Sequence, residues 1–198
     1  MTHPALLKES VTLFADRNRW DAFIELSTAR ESIITHWLTL GTAGLREHLQ
    51  ASLPKEWKMI AWGSDTDTRC YLREHGKDSL SVGIGWRTEF HLFWAGENAA
   101  CDRLQEAWKA ARFDLLRVLF PEEPSGRDRR NSLGCERGRF ALQNPFIPDP
   151  TVEDLAWAAA HVTGEFVAAT AAKIERVTSD GALTALIHEL NIAAFAPS

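Results

Sequence analysis

The 198-residue chain is short of almost every feature that announces a chemistry. Its three cysteines, Cys70, Cys101 and Cys135, are odd in number, far apart and without C-x-x-C spacing, so neither a disulfide framework nor a zinc knuckle is indicated and a reducing cytoplasm is the expected compartment. No uninterrupted apolar run approaches the ~20 residues needed to cross a bilayer. The opening Met1-Thr-His-Pro-Ala-Leu-Leu-Lys-Glu-Ser10 lacks a basic segment followed by an apolar one, so the expectation is a chain neither exported by the general route nor embedded in a membrane. There is no basic excess. A formal net charge of −5 argues against a protein that coats nucleic acid with its whole surface, while leaving room for a local basic patch. G-x-S-x-G, H-E-x-x-H, H-x-H and a G-x-G-x-x-G leading into a helix are all missing, and no catalytic residue, metal ligand or cofactor is assigned from sequence.

What is present is an α+β pattern. Leu80, Val82, Ile84 and Trp86 alternate with Ser79, Ser81, Gly83 and Gly85, the period of two expected of a strand with one large apolar face and one nearly bare face. Trp86 shares the apolar face and is expected to be buried. Arg87-Thr88 is a short connection, and Glu89-Phe-His-Leu-Phe-Trp94 reads as the antiparallel partner. Upstream, Trp57–Trp62 and Arg69–Glu74 read as two further strands, with a polar turn at Gly63–Thr68 between them and His75–Asp78 turning into the next strand. Glycine inside a strand marks close approach by something else, and the reading favours a packed helix or large side chains over a cofactor. From Asn98 to Phe120 the spacing becomes helical, with Leu104, Ala107, Trp108, Ala111, Leu115, Val118 and Leu119 on one stripe. Pro121 ends it.

On either side of this meander the chain reads as helix. Residues 4 to 53 carry apolar residues at mixed three-and-four spacing, with a polar break at Asp16–Arg19; a helix end near Leu40, with Thr42 capping the next helix, is favoured over one long helix through Gly41 and Gly44. Residues 121 to 134 are rich in proline, glycine and charge and read as an exposed loop, and Arg137–Leu142 is a candidate fifth strand. Asp149 or Thr151 caps a C-terminal helix through Ala169, and a second helix follows Gly181, giving a helical hairpin. The predicted organisation is an α+β domain over residues 1–142, with N-terminal helices and a four- to five-stranded antiparallel meander covered by a long helix. A helical hairpin over 143–198 packs on it.

Three stretches are candidates for function. Asp65 and Asp67 share a turn, and Glu89 and His91 sit two apart on one strand; these four would have to carry a metal-dependent hydrolase site on the sheet. The plainer reading makes Glu89 and His91 solvent-facing positions of an edge strand. Arg127, Arg129, Arg130, Arg137 and Arg139 fall within thirteen residues, and arginine forks suit phosphate or carboxylate. They predict contact with nucleic acid or with an acidic partner surface, against the alternative of a solvated loop. Finally, eight tryptophans against one tyrosine is unusual, and tryptophan anchors both cores and interfaces, so part of the excess is a candidate for a protein partner.

The order helix, Arg19-Trp-Asp-Ala-Phe-Ile-Glu-Leu26, helix, then the meander with Leu80-Ser-Val-Gly-Ile-Gly85 and Glu89-Phe-His-Leu-Phe-Trp94, resembles the accessory region downstream of the nuclease core in some bacterial PD-(D/E)XK family proteins. The resemblance covers residues 10 to 120 and rests on hydrophobic pattern. Glu56-Trp-Lys58 spells the E-x-K half of the family's site, but the acidic half upstream has no counterpart. The resemblance implies a non-enzymatic interaction or regulatory module, associated with a nuclease or phage-defence system, that does not itself cleave.

Overall fold

The computed structural model describes residues 4–62, 64–85, 90–122, 131–136, 142–143, 146–147 and 150–195. Three helices open the chain: α1 (Pro4–Leu13), α2 (Arg17–Thr28) and α3 (Arg30–Ser52). A meander of β1 (Trp57–Trp62), β2 (Ser64–Leu72), β3 (Leu80–Ile84) and β4 (Phe90–Trp94) follows, then α4 (Asn98–Trp108), a 3-10 turn over Ala111–Phe113 and α5 (Asp114–Leu119). β5 (Ser132–Glu136) completes a five-stranded antiparallel sheet in the order β1-β2-β3-β4-β5. The short pair β6 (Leu142–Gln143) and β7 (Phe146–Ile147) leads into α6 (Val152–His161), α7 (Thr163–Thr178) and α8 (Gly181–Phe195). The class is therefore α+β, with helices at both ends of an antiparallel meander. Trp86, Arg87, Thr88 and Glu89 lie outside the described residues.

The register puts Trp57, Leu72, Cys70, Leu80, Val82, Ile84, Trp94, Leu92 and Phe90 on one face of the sheet. These are the core, packed with Leu45 and Leu49 from α3, Leu104 from α4, Leu116 from α5, Ile174 and Val177 from α7, and Ile187 and Leu190 from α8. A second cluster joins Ile34 and Leu38 of α3 to Leu155, Ala158 and Ala159 of α6, Leu142 and Phe166. Every residue of β3 and β4 is buried, so the face that the period-two reading left bare is covered as well.

Four boundaries differ from the sequence reading, each for a local reason. α3 does not stop before Gly41 but runs unbroken through both glycines. A Cβ at Gly41 would lie 2.6 Å from Ala159 Cβ and 2.6 Å from the Phe166 ring, so this glycine is a contact surface for α6 and α7, and that packing offsets a helix cost of about 1 kcal/mol. β2 begins at Ser64, inside the stretch read as a turn; Ser64 and Thr68 pair with Trp62 and Ala61 of β1, and the register shifts between those two pairs. The helix expected over 98–120 is interrupted after Trp108, where Arg117 Nη1 donates to the Trp108 carbonyl at the end of α4 and also to the Ala110 carbonyl, which accepts from Phe113 N as well. The C-terminal helix expected through Ala169 breaks at Val162 (φ −132°, ψ 49°), making α6 and α7 separate helices. Its start is as expected, with Thr151 and Asp154 forming a reciprocal capping box.

The fifth strand is Ser132–Glu136 rather than Arg137–Leu142, and it falls partly inside the stretch read as an exposed loop. Gly134 explains its placement: a Cβ there would lie 2.5 Å from the Phe120 carbonyl oxygen, so the close approach of the chain after α5 requires glycine. Because β5 pairs with β4, His91 does not project from an edge strand into solvent. It is 3% exposed on an interior strand, with Nδ1 3.3 Å from Ser132 Oγ.

Candidate functional site

The residues singled out from sequence fare unequally. Arg127, Arg129, Arg130, Arg137 and Arg139 lie outside the described residues, as do Glu89 and the side chain of Asp65. Asp67 is half-buried in β2; its Oδ1 accepts from Thr66 Oγ1 at 3.2 Å, and its carbonyl accepts from Arg46 Nη2 at 2.7 Å. His91 belongs to a row that crosses the sheet through Arg69, Gly83, His91 and Cys135. Arg69 is 8% exposed, and its Nε and Nη1 have no hydrogen-bond partner among the described residues; burial lowers its pKa, opposed by Asp78 and Tyr71. The row holds no accessible nucleophile, because Cys135 is fully buried and its thiol is directed at the Glu122 carbonyl, 3.5 Å away. Cys70 and Cys101 are buried too, and burial pushes the Cys70 thiol up to about 12, where the reactive thiolate is scarce.

Charge inside the fold is used as a clamp. Glu136, at the end of β5, receives Lys173 Nζ at 3.0 Å and Arg176 Nη2 at 2.9 Å, both from α7, on a single carboxylate oxygen. Glu136 and Lys173 are buried, and the arrangement ties the last strand to the helix beneath it.

A set of groups with different potential lies at the other end of the sheet, where sequence pointed to nothing. β2 ends at Leu72, and the chain reverses through Gly76, whose φ of +78° is a left-handed conformation that suits glycine. His75 N donates to the Leu72 carbonyl (3.1 Å) and Ser79 Oγ to the Gly76 carbonyl (2.6 Å), so the turn is held by hydrogen bonds within itself. Glu74 and His75 sit at its tip. Facing them is α8, anchored by Asn191: its Oδ1 accepts from Leu80 N at 2.8 Å and its Nδ2 donates to the Ile187 carbonyl at 3.0 Å. His188, Asn191 and Phe195 fall at i, i+3 and i+7 and so share one side of that helix. His188 Nδ1 is 2.6 Å from Glu74 Oε1 and 3.0 Å from His75 Nε2, and the last two atoms are 3.7 Å apart. Among the described residues this is the one group of three His, Cys, Asp or Glu side chains whose ligand atoms converge.

The surroundings fix the His75 ring. Phe195 stacks on it with centroids 6.3 Å apart and planes 16° apart, and Trp94 meets Phe195 edge-on at 5.5 Å. Arg103 donates through Nε and Nη2 to the Ala194 carbonyl (3.1 and 2.6 Å), which holds the end of α8 in place. Burial keeps the His75 imidazole below the usual histidine range, an effect that Glu74 opposes and His188 reinforces.

A second feature, at the opposite end of the chain, is a surface. α2 buries none of its residues. Asp16 caps it by accepting from Asn18 N (2.8 Å) and Arg19 N (3.2 Å), and Arg17 pairs with Asp21 at 2.9 Å. Phe14, Trp20 and Phe23 form an aromatic cluster with centroids 4.6 to 5.7 Å apart. Trp20 and Phe23 remain 42% exposed and Ile24 44%, and Val11, Leu13 and Leu26 are more exposed still. The tryptophan excess is thus divided: Trp57 and Trp94 are core, while Trp20 and Trp157 stand at the surface.

No helix among the described residues is long and apolar enough to cross a membrane. Comparison with protein-family models, curated proteins and solved structures finds no match, so the chemistry of these two places is argued from their own residues.

Proposed function

We propose that this chain is a non-enzymatic interaction module, and that its α1–α2 arm is the docking element, taking a second copy of the same chain as its partner. The observation that carries the reading is that α2 presents Trp20, Phe23 and Ile24 at helical spacing while burying none of its residues. A twelve-residue helix is marginal on its own in water, so an arm held chiefly by its own aromatic cluster gains its stability from whatever covers it. Charge favours a like copy. The sequence of the arm, residues 4–28, carries Lys8, Arg17 and Arg19 against Glu9, Asp16, Asp21 and Glu25, so it is close to neutral in a chain of net charge −5. Under a two-fold axis the same patch meets itself, and a patch of mixed sign can place its basic residues opposite its acidic ones without repulsion. A stable interface needs about 800 Å² from each partner, within reach of two helices bearing six large exposed apolar side chains. The resemblance to nuclease accessory regions supports a regulatory setting for such a dimer, beside an enzyme supplied by another chain.

The test is the mass of the full chain in solution, by light scattering at two concentrations, beside a Trp20→Glu/Phe23→Glu variant. The expected result is a dimer for the parent and a monomer of unchanged circular dichroism for the variant. A monomeric parent at both concentrations, or a variant that stays dimeric, overturns the reading.

A further inference from the structure

We infer that Glu74, His75 and His188 form a binding site for one divalent transition-metal ion of the zinc type, with the Glu74 carboxylate, His75 Nε2 and His188 Nδ1 as its protein ligands and a fourth position left to solvent. The inference is independent of the α1–α2 arm.

Geometry is the first argument. A tetrahedral zinc site with bonds of roughly 2.0 to 2.1 Å has ligand atoms roughly 3.3 Å apart. The three separations here are 2.6, 3.0 and 3.7 Å, which bracket that value. An ion placed among these atoms therefore needs shifts of a few tenths of an ångström, within the freedom of an exposed glutamate and a half-exposed histidine.

Hydrogen-bond accounting is the second. His188 Nδ1 faces both Glu74 Oε1 and His75 Nε2, yet a ring nitrogen offers one proton or one lone pair. If it carries the proton and donates to Glu74, it cannot accept from His75. If it presents its lone pair to His75 Nε2–H, it sets that lone pair against a carboxylate oxygen at 2.6 Å. One of the two contacts is always poorly matched by protons alone. A cation satisfies all three groups at once, because each then directs a lone pair at it.

The ligand set decides the class of ion. Two imidazole nitrogens and one carboxylate oxygen suit zinc and its borderline neighbours cobalt, nickel and copper, whereas calcium and magnesium take oxygen. The frame is also in place: the Gly76 turn holds Glu74 and His75, and the Asn191 bond to Leu80 holds α8, so the ligands reach each other from 113 residues apart without a loop having to fold around the ion.

The experiment uses untagged full-length protein, stripped with chelator and titrated with Co²⁺ as the spectroscopic probe, then with Zn²⁺ in competition. The expected result is one equivalent of Co²⁺ with the intense visible absorption of a four-coordinate site, displaced by Zn²⁺, and a melting temperature that rises with Zn²⁺. His188→Ala and Glu74→Gln each lower Zn²⁺ affinity by at least about tenfold, since even outer-shell partners of a metal site carry that much. His36→Ala, which changes an exposed histidine on α3, leaves affinity unchanged. Glu74 is exposed, so its variant reads the site without threatening the fold. Absence of a stoichiometric Co²⁺ spectrum, or Zn²⁺ affinity unaltered in both site variants, overturns the inference.

Discussion

The two ends of this chain are both amphipathic helix, and only one of them is embedded. α8 places Leu183, Ile187, Leu190 and Ala194 in the core and closes its contact with the sheet through a buried asparagine. α2 carries Trp20, Phe23 and Ile24 at the same three-and-four spacing and leaves them all more than two-fifths exposed. The comparison teaches that an apolar stripe states a demand for a partner surface and says nothing about where that surface is. For α8 it is the central strands of the same chain. For α2 no described element of the same chain supplies it, and that is what makes the arm an interface candidate and the C-terminal helix a scaffold for ligands.

One truncation performed at both ends tests the contrast most strongly. Ile187→Ala empties a fully buried position, and the expected loss is about 3 kcal/mol in chemical denaturation, from lost transfer energy and the cavity left behind. Ile24→Ala on the arm is expected to change the unfolding free energy of the dilute monomer by less than about 0.5 kcal/mol. Equal losses at the two positions would mean that the arm is packed in solution even without a partner.

A smaller effect is expected at the glycine that lets α3 lie against α6 and α7. Gly41→Ala gains helix propensity of about 1 kcal/mol but must displace Ala159 and the Phe166 ring from 2.6 Å, and overpacking of that kind costs about 1–3 kcal/mol. The net result is a modest destabilisation, seen as a lower urea midpoint. Gly44→Ala meets Val167 Cγ2 at 3.2 Å, a side-chain terminus that can give way, and should be closer to neutral. A stabilised Gly41→Ala would show the two helices to be less tightly seated than the structure has them.

The smallest expected effect is electrostatic. Glu175 on α7 accepts from Ser52 Oγ at 2.7 Å and lies 2.9 Å from His48 Nε2, and the Ser52 hydrogen bond, with help from His48 and against burial, holds its pKa below the usual glutamate range. A carboxylate whose pKa is lower in the folded than in the unfolded state contributes stability that is complete above the unfolded value and is lost as pH falls through the folded one. Ser52→Ala is therefore expected to lower stability slightly at pH 7 and to flatten the fall in stability on acidification below pH 5. A variant with the parent's full acid dependence would place that dependence elsewhere.

How far the fold could be read from sequence follows from the range of the forces that set each element. The alternation around Val82 and the aromatic run around Leu92 are period-two patterns inside single strands, and β3 and β4 lie where those patterns are. The capping box at Thr151 is likewise complete within four residues. Boundaries set by distant contacts carry no such local signal. Gly41 reads as a helix stop until Phe166 is seen against it, and Gly134 reads as a loop until the Phe120 carbonyl is seen above it. The polar positions of β4 read as solvent-facing because nothing local shows that β5 lies alongside. The metal-ligand cluster was illegible for the same reason. Glu74 and His75 are neighbours in a turn, but His188 is one histidine on a helix 113 residues away, and no spacing rule links them. The arm was half legible, since a surplus of tryptophan raised the question of surface positions without saying that Trp20 stands at one.

The bond from Leu80 N to Asn191 Oδ1 also bears on the order in which the molecule assembles. Neighbouring strands of the meander pair across short turns, while this contact closes a stretch of 111 residues, and the entropy of closure grows with the logarithm of that length. Hairpins form first in such a chain, and contacts of long separation come after them. The part of the core face beside Leu80 thus waits for α8 after α3, α4, α5 and α7 have their own places on the sheet, so the docking of the helix that carries His188 belongs to the late part of the folding reaction.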